Sequence, residues 1–235
     1  MRLGIIAEIH ANLPALEAAL EAVRAQSVDQ VLAIGDLVGY GPHPKQVLKK
    51  LDREGISCVP GAADERVAFS LPSEARQGVG DITIEWTRRQ IGKPELSFLR
   101  SLRPRHKLKL AGGRFLAMHG LPDKPEFKVD LEAPLYELID LLADLKVRWA
   151  VISGRHIPLH RSAGNGLVID PGSVGLTLGG EPGADVLILD ELADHTLQVR
   201  YIKVDYDYAQ TIFDLAAWEL PPVLADVIRQ GRFPQ

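Results

Sequence analysis

Residues that could bind a metal ion follow five short apolar segments of this sequence. They are histidines and acids, namely Glu8, His10, Asp36, Asp64, His119 and His156. In an open parallel α/β sheet, ligands bind beyond the carboxyl ends of the strands, so strands in these segments would bring the side chains to one edge. Imidazole and carboxylate together suit Mn, Fe or Zn better than Ca or Mg. Each residue alone is better explained as a polar loop residue, but all of them together predict a metal site.

The pair Glu8 and His10 sits at the end of the first apolar segment. The two residues are two positions apart, so on an extended backbone their side chains point to the same side. We therefore expect a carboxylate and an imidazole to converge directly after the first strand.

Apolar periodicity predicts the elements that position these side chains. Residues 3–6, 31–34 and 58–60 are typical of strands, and helices are predicted between them. In the first helix Asn12 is a suitable N-cap and Pro14 fits the first turn; the second helix spans residues 44–53. This alternation indicates an α/β fold with a parallel sheet covered by helices.

The remaining two thirds of the chain predict further helices and strands. The helices are at 81–91, 94–102 and 135–145, and the strands at 107–110, 115–118, 149–152, 167–169, 186–189 and 197–204. The last three strands follow closely and suggest a second sheet packed beside the first. Residues 208–229 look helical with an interruption at Pro221-Pro222, and this tail docks either on the core or on a second subunit.

Composition favours one domain over residues 1–235, because 46% hydrophobic residues in a chain of this length bury one sizeable core. The net charge of −4 gives no basic excess, so a nucleic-acid partner is not expected. Cys58 is the only cysteine, which rules out an internal disulfide and fits a reducing interior. No apolar stretch approaches the roughly 20 residues of a membrane helix. We expect a cytoplasmic protein without membrane attachment. The sequence leaves open whether the protein forms a homo-oligomer.

Six segments match a known order of motifs. They are Glu8-Ile9-His10-Ala11-Asn12, Gly35-Asp36, Gly61-Ala62-Ala63-Asp64, His119-Gly120, Ser153-Gly154-Arg155-His156 and Asp170-Pro171-Gly172-Ser173-Val174-Gly175. This series resembles the calcineurin-like metallophosphoesterases, whose motifs are D-x-H-x-N, G-D, G-N-H-D/E, a lone His, G-H-x-H and, in the small bacterial and archaeal phosphodiesterase branch, N-P-G-S-V-G. The resemblance implies a sandwich of two mixed β-sheets flanked by helices.

The resemblance also implies roles for individual residues. In the family, two metal ions share the aspartate of G-D and activate a hydroxide that attacks the phosphate ester. Asp36 would then bridge the metals, Glu8, His10 and His156 would bind the first metal, and His119 would serve the second. A second group of residues would support the ligands or contact phosphate: Asn12, Asp64 and Arg155.

Several positions depart from the family motifs. Glu8 replaces an aspartate, Ala62 replaces the asparagine that binds the second metal, and Ala63 replaces the catalytic histidine. Gly154 stands where the family has another histidine of the second metal, and Ala11 replaces a glycine. Loss of a general acid or base typically costs about 10²–10⁴ in rate. No catalytic residue is therefore intact, and at most one divalent ion (Mn, Fe or Zn), or none, is expected to bind tightly.

Three functions remain open at this point. The chain is a working phosphoesterase that uses one metal or two with unusual ligands, a degenerate member that binds a phosphate-containing small molecule or a protein partner without turnover, or a structural protein whose metal only holds strand ends together. We favour a phosphoesterase-family protein whose catalysis is weak or lost.

Other residues near the predicted site allow more than one interpretation. Arg155 could pair with Asp36 in place of a missing second cation, although a solvated arginine explains it at least as well. Tyr40 lies at the mouth of the predicted site, where it would stack on a substrate or pack within its loop. The other histidines are expected in solvent: His43, His106, His160 and His195.

Overall fold

The computed structural model describes residues 1–69 and 78–234. In this part of the chain the strands are β1 (Arg2–Ala7), β2 (Gln30–Ile34), β3 (Ser57–Val59), β4 (His106–Leu110), β5 (Gly113–His119), β6 (Trp149–Ser153), β7 (Leu159–Ala163), β8 (Gly166–Asp170), β9 (Ala184–Glu191) and β10 (Leu197–Val204). The helices are α1 (Leu13–Arg24), α2 (Pro44–Arg53), α3 (Ala62–Phe69), α4 (Val79–Gln90), α5 (Lys93–Ser101), α6 (Leu135–Leu145), α7 (Tyr208–Ala217) and α8 (Val223–Gln230).

The strands form two mixed sheets of five. The first has the order β10-β9-β1-β2-β3, and the second has the order β4-β5-β6-β8-β7. Strands β1, β2 and β3 run parallel, as do β5, β6 and β8, and antiparallel strands complete both sheets. The predicted sandwich of two mixed sheets flanked by helices is confirmed.

Strand β1 shows why its sequence is almost wholly apolar. Leu3 and Ile5 point into the core between the two sheets, together with Phe115 and Trp149 of the second sheet. Ile6 points to the opposite face and packs in the core beneath the helices. A strand covered on both faces needs apolar residues at successive positions rather than alternation.

Strand β9 corrects one prediction from the sequence. We expected the last three strands to form a separate sheet, but only β8 lies in the second sheet. Strand β9 instead pairs antiparallel with β1, with Leu3 opposite Leu189, and β10 pairs with β9. Periodicity identifies a strand but contains no information about which strand pairs with it. The long-range pairing of β9 with β1 could therefore not be predicted from the sequence.

Two elements were not predicted, namely helix α3 and strand β7.

The C-terminal tail forms α7 and α8, and its apolar side chains, among them Leu215, Leu224 and Val227, pack on Leu176 of the core. Docking on the core is therefore observed. Among the described residues, no helix is long and apolar enough to cross a membrane.

Candidate metal centre

The loop after β1 places Glu8 and His10 through an unusual backbone conformation. Glu8 has φ 50°, His10 has φ 46° and Ala11 has φ 53°, all in the left-handed region. The expectation of an extended backbone was wrong here, although the two side chains do converge. Left-handed non-glycine residues cost of order 1–3 kcal/mol each and persist only where the surroundings hold them.

Hydrogen bonds to the neighbouring loop hold this conformation. The amide of His10 donates to the carbonyl of Asp36 at 2.9 Å, and the amide of Ala11 donates to the carbonyl of Leu37 at 2.9 Å. Asp36 has φ 40° and His156 has φ 62°, so the left-handed geometry recurs at other residues of the site. The strain is concentrated where a binding site needs fixed side chains.

Glu8 lies at the centre of the site and is fully buried. Its Oε2 is 3.1 Å from His10 Nε2 and 3.4 Å from His156 Nε2, whereas its Oε1 is 3.0 Å from His119 Nδ1. The rings of His10 and His156 are stacked, with centroids 5.0 Å apart and planes at 7°. Tyr40 meets His10 edge-on at 5.0 Å, so it packs against a predicted ligand.

Glu8, His10 and His156 form the group best arranged for one cation. One ligand atom from each lies within 4.8 Å of the others. Asp36 and His119, which were also predicted as ligands, lie outside this group of three. The structure thus brings together three of the four first-metal ligands inferred from the resemblance, and His119 contacts this group through Glu8.

Unsatisfied polar atoms test whether a metal fits here. Both carboxylate oxygens of Glu8 and both ring nitrogens of His10 are buried and lack a hydrogen bond of acceptable geometry, although Glu8 lies within ion-pair distance of His10 and His119. A buried polar group left unpaired costs about 1–3 kcal/mol, so a cation would relieve the site. His156 fits the same role: because Nδ1 lies 2.9 Å from the carbonyl of Leu176, it must carry the proton, and Nε2 is left with a lone pair.

Electrostatics keep the Glu8 side chain ionised when no cation is bound. Burial alone would raise the pKa of Glu8, but His119 and His156 outweigh it and hold the pKa well below its usual range. Burial likewise opposes ionisation of His119, but Glu8 and Asp36 raise the pKa of His119 to about 10. Without metal, Glu8 and His119 therefore form a buried ion pair.

Asp36 is held by the N-terminus of α3. Its Oδ1 accepts a hydrogen bond of 2.8 Å from the backbone amide of Ala63, the position at which the resemblance implies a catalytic histidine. The alanine thus contributes only a backbone donor to the site. His119 has one further contact, from its Nδ1 to Ser153 Oγ at 3.0 Å; Ser153 was not predicted, and only its place at the end of β6 could have indicated it.

Asp64 supports the loops rather than facing a ligand. It is fully buried and accepts hydrogen bonds from the amides of Leu37 at 3.0 Å, Val38 at 3.0 Å and Gly61 at 2.9 Å. Burial and the nearby charge of Asp36 raise the pKa of Asp64 to about 7. The carboxylate connects the loop after β2 to the loop after β3.

Asn12 has a comparable supporting position. Its Oδ1 accepts from the amide of Ala15 at 3.3 Å, as the predicted N-cap of α1, and from Thr211 Oγ1 of α7 at 3.0 Å. Its Nδ2 donates to the carbonyl of Gly175 at 3.2 Å and lies 3.1 Å from the hydroxyl of Tyr206. Asn12 therefore connects the loop after β1 to the C-terminal segment.

Arg155 does not adopt the arrangement that would replace a second cation. Its Nη1 donates to the carbonyl of Val129 at 3.2 Å, and the described residues include no ion pair between Arg155 and Asp36. Neighbouring Gly154 has φ 132°, a backbone conformation that side chains rarely adopt. The histidine that the resemblance implies at this position would be strained.

The four histidines expected in solvent differ in their surroundings. His160 and His195 are exposed, as predicted, and His106 is half-buried. The expectation was wrong for His43, which is buried, with Nε2 2.9 Å from Asp214 of α7 and Nδ1 accepting from the amide of Leu13 at 3.4 Å. Its partner is distant in sequence, so the loop composition alone could not reveal it.

Comparisons with known proteins agree with the observed fold. A family model described as the calcineurin-like phosphoesterase superfamily domain matches residues 1–194. An uncharacterised protein of Methanocaldococcus jannaschii is 26% identical, with 98% of each chain covered. The crystal structure of a metallophosphoesterase from Sphaerobacter thermophilus is 26% identical, with a TM-score of 0.80, and covers 98% of this chain and 99% of the other. A hypothetical protein from Pyrococcus horikoshii OT3 has a TM-score of 0.87 at 22% identity, with 99% of each chain covered.

Proposed function

Because the chain belongs to the calcineurin-like phosphoesterase superfamily, we propose that it binds one divalent metal ion and uses it to hold a phosphate ester, with hydrolysis weak or lost. Glu8, His10 and His156 would hold the ion, with Asp36 beside them. The observation that carries the proposal is the set of buried, unsatisfied oxygens of Glu8 and nitrogens of His10 beside a correctly oriented His156. When bound, such an ion polarises a phosphoryl oxygen as a Lewis acid.

Weak or absent hydrolysis follows from the residues at the positions where the family binds its second metal. Ala62 and Ala63 provide methyl groups, and no imidazole stands at Ala63 to protonate a leaving group. Asp36 and His119 remain there, but one oxygen of Asp36 is engaged by the amide of Ala63 and His119 faces Glu8. A second cation would therefore find too few free ligands.

A second candidate is a catalytically inactive member that binds a phosphate ligand or a protein for regulation. The contact between Glu8 Oε1 and His119 Nδ1 at 3.0 Å favours it, because this pair joins the two halves of the site without a second metal. The two candidates share the metal centre, and only the first allows residual turnover.

The test combines metal analysis with a phosphodiester assay. We expect about one equivalent of Mn²⁺ by calorimetry and elemental analysis, and hydrolysis of bis-p-nitrophenyl phosphate at least about 10²-fold slower than by an enzyme with an intact histidine. Glu8→Gln and His156→Ala should each weaken Mn²⁺ binding by about tenfold or more, because metal affinity depends on the number of deprotonated ligands.

The matched control is His195→Asn. His195 is exposed with φ 61°, a conformation that asparagine tolerates, so this variant should bind Mn²⁺ normally. Two tightly bound equivalents, or no binding by the unaltered protein, would contradict the proposal. Measurable turnover selects weak hydrolysis by the first candidate, and phosphate binding without turnover selects lost hydrolysis, as in the second candidate.

A further inference from the structure

A cavity of about 220 Å³ lies beside the metal centre and includes His119 in its wall. Ala62, at the start of α3, and the buried Met118, at the end of β5, also line it. The cavity thus begins where the second-metal side of the family's site would be. A phosphate ester held at the metal centre would have its alcohol portion next to this space.

The cavity is bounded by stiff loops. Four prolines line it: Pro60, Pro104, Pro122 and Pro125. The turn after β5 is closed by two hydrogen bonds, from the amide of Leu121 to the carbonyl of Lys124 at 2.9 Å and from the amide of Lys124 back to Leu121 at 3.0 Å. Gly120, with φ 55°, lets the chain pass so close that a Cβ there would lie 2.1 Å from the carbonyl oxygen of Pro125. Fixed φ angles and a closed turn preform the cavity before any ligand binds.

Two charged side chains at the cavity are available to a ligand. Glu65 and Arg105 both line it and are exposed. Within residues 1–69 and 78–234, neither side chain makes a hydrogen bond or an ion pair. A carboxylate accepts hydrogen bonds from hydroxyl groups, and a guanidinium donates to hydroxyl or phosphate oxygens. Proline and methionine carbons offer apolar contact to a ring of CH groups.

We infer that this cavity is a subsite for a sugar-sized, polyhydroxylated alcohol group of the phosphate ester held at the metal centre. Glu65 accepts from the hydroxyls, Arg105 donates to the ligand's oxygens, and the prolines pack against its carbon face. The volume favours one sugar ring, because pockets for drug-sized ligands measure about 300–1,000 Å³. The inference rests on the proposed function, since the metal centre holds the phosphate.

Arg105 and Glu65 are in this account residues that determine specificity, and Ala62 keeps the entrance open. A larger side chain at Ala62 would extend into the cavity that it lines. Alanine in place of the family's asparagine therefore removes a side chain that would bind the second metal. The same replacement leaves space for the sugar-sized group of the phosphate ester.

Calorimetry on the Mn²⁺-loaded protein tests the subsite without relying on turnover. The probes are inorganic phosphate, ethyl phosphate and ribose 5-phosphate. We expect ribose 5-phosphate to bind at least about tenfold more tightly than ethyl phosphate, since each added hydrogen bond to a charged group contributes severalfold in affinity. Glu65→Gln and Arg105→Ala should each reduce that advantage by about threefold or more, without weakening the binding of inorganic phosphate.

Matched controls come from the same surface. Glu126→Gln and Arg103→Ala change exposed residues of the adjacent loops that do not line the cavity, and should leave all three affinities unchanged. If phosphate binds but ribose 5-phosphate gains nothing over ethyl phosphate, or if Glu65→Gln and Arg105→Ala have no effect, the subsite is refuted and the proposed function stands. If no probe binds the metal-loaded protein, both are refuted.

Discussion

Glu8 is one methylene longer than the aspartate that the resemblance implies at this position, and both of its carboxylate oxygens contact histidines of the site. One carboxylate oxygen approaches His10 and His156, and the other lies 3.0 Å from His119. A side chain from the first sheet therefore reaches histidines of the second sheet on both sides of the site. In the metal-free protein, His119 has the Glu8 carboxylate as its partner in place of a cation.

Shortening this side chain should destabilise the metal-free protein. Glu8→Asp retracts the carboxylate from His119 and leaves a buried imidazolium without its partner. Removing one member of a buried ion pair costs about 3–5 kcal/mol, and we expect a loss of about 3 kcal/mol in the free energy of unfolding. Urea denaturation in the presence of a chelator measures it, with His195→Asn as the control. An unchanged midpoint would show that Glu8 and His119 do not stabilise each other.

Restoring the lost residues should raise activity. Ala62→Asn together with Ala63→His returns a ligand for the second metal and an imidazole for proton transfer, so turnover of bis-p-nitrophenyl phosphate with Mn²⁺ should rise by about 10²-fold. Gly154→His is left out because φ 132° at that residue would strain a side chain. Ala62→Asn alone, which lacks the imidazole, is the control. A folded double variant that binds two metals without gaining activity would contradict the prediction.

At the scale of elements, Asp64 ties the loop after β2 to the start of α3. Asp64→Ala leaves three buried amides without acceptors, those of Leu37, Val38 and Gly61. At about 1–3 kcal/mol for each unsatisfied group, we expect a loss of at least about 3 kcal/mol of stability in urea denaturation. The adjacent Glu65→Ala changes an exposed residue and should stay within about 0.5 kcal/mol. Equal effects of the two substitutions would refute the supporting role of Asp64.

Helix α7 lies beyond the segment matched by the family model, yet it contacts the loop that carries His10. Thr211→Val removes the hydroxyl that donates to Asn12 at 3.0 Å. Because residues that support metal ligands typically affect metal affinity by about 10–100-fold, we expect Mn²⁺ affinity to fall by about tenfold. Phe213→Ala, at an exposed position of the same helix, is the control. A fall in melting temperature with unchanged Mn²⁺ affinity would show that α7 contributes only stability.

The elements differ in how far the sequence could predict them. Helix α2 begins at Pro44 and helix α6 ends at Leu145, as predicted, because local periodicity and turn residues mark such boundaries. The cap at Asn12 is equally local and is confirmed. The pairing of β9 with β1 depends on contacts far apart in sequence, and the left-handed backbone at Glu8 and His10 depends on the neighbouring loop. Local patterns contain neither.

The whole molecule explains why the candidate site needs both sheets. Glu8 and His10 follow β1 of the first sheet, whereas His119 ends β5 and His156 follows β6 of the second. The sequence could predict that these residues gather, because each follows an apolar strand. It could not predict that Asp36 and His119 lie outside the tightest group, since that depends on side-chain distances across the sandwich.

A cation bound by residues of both sheets should stabilise the entire fold. Mn²⁺ at about 100 times its dissociation constant would add about 2.7 kcal/mol, which corresponds to a rise of about 5–10 °C in melting temperature for a chain of this size. The rise should shrink as the pH is lowered, because protons compete with the metal for His10 and His156. Differential scanning fluorimetry with and without a chelator measures it. Glu8→Gln removes a charged ligand and should abolish most of the shift, and His195→Asn should retain it. A shift of equal size in Glu8→Gln would mean that Mn²⁺ binds elsewhere. A lost shift in Glu8→Gln, with the shift kept in His195→Asn, would mean that the metal binds at the buried carboxylate.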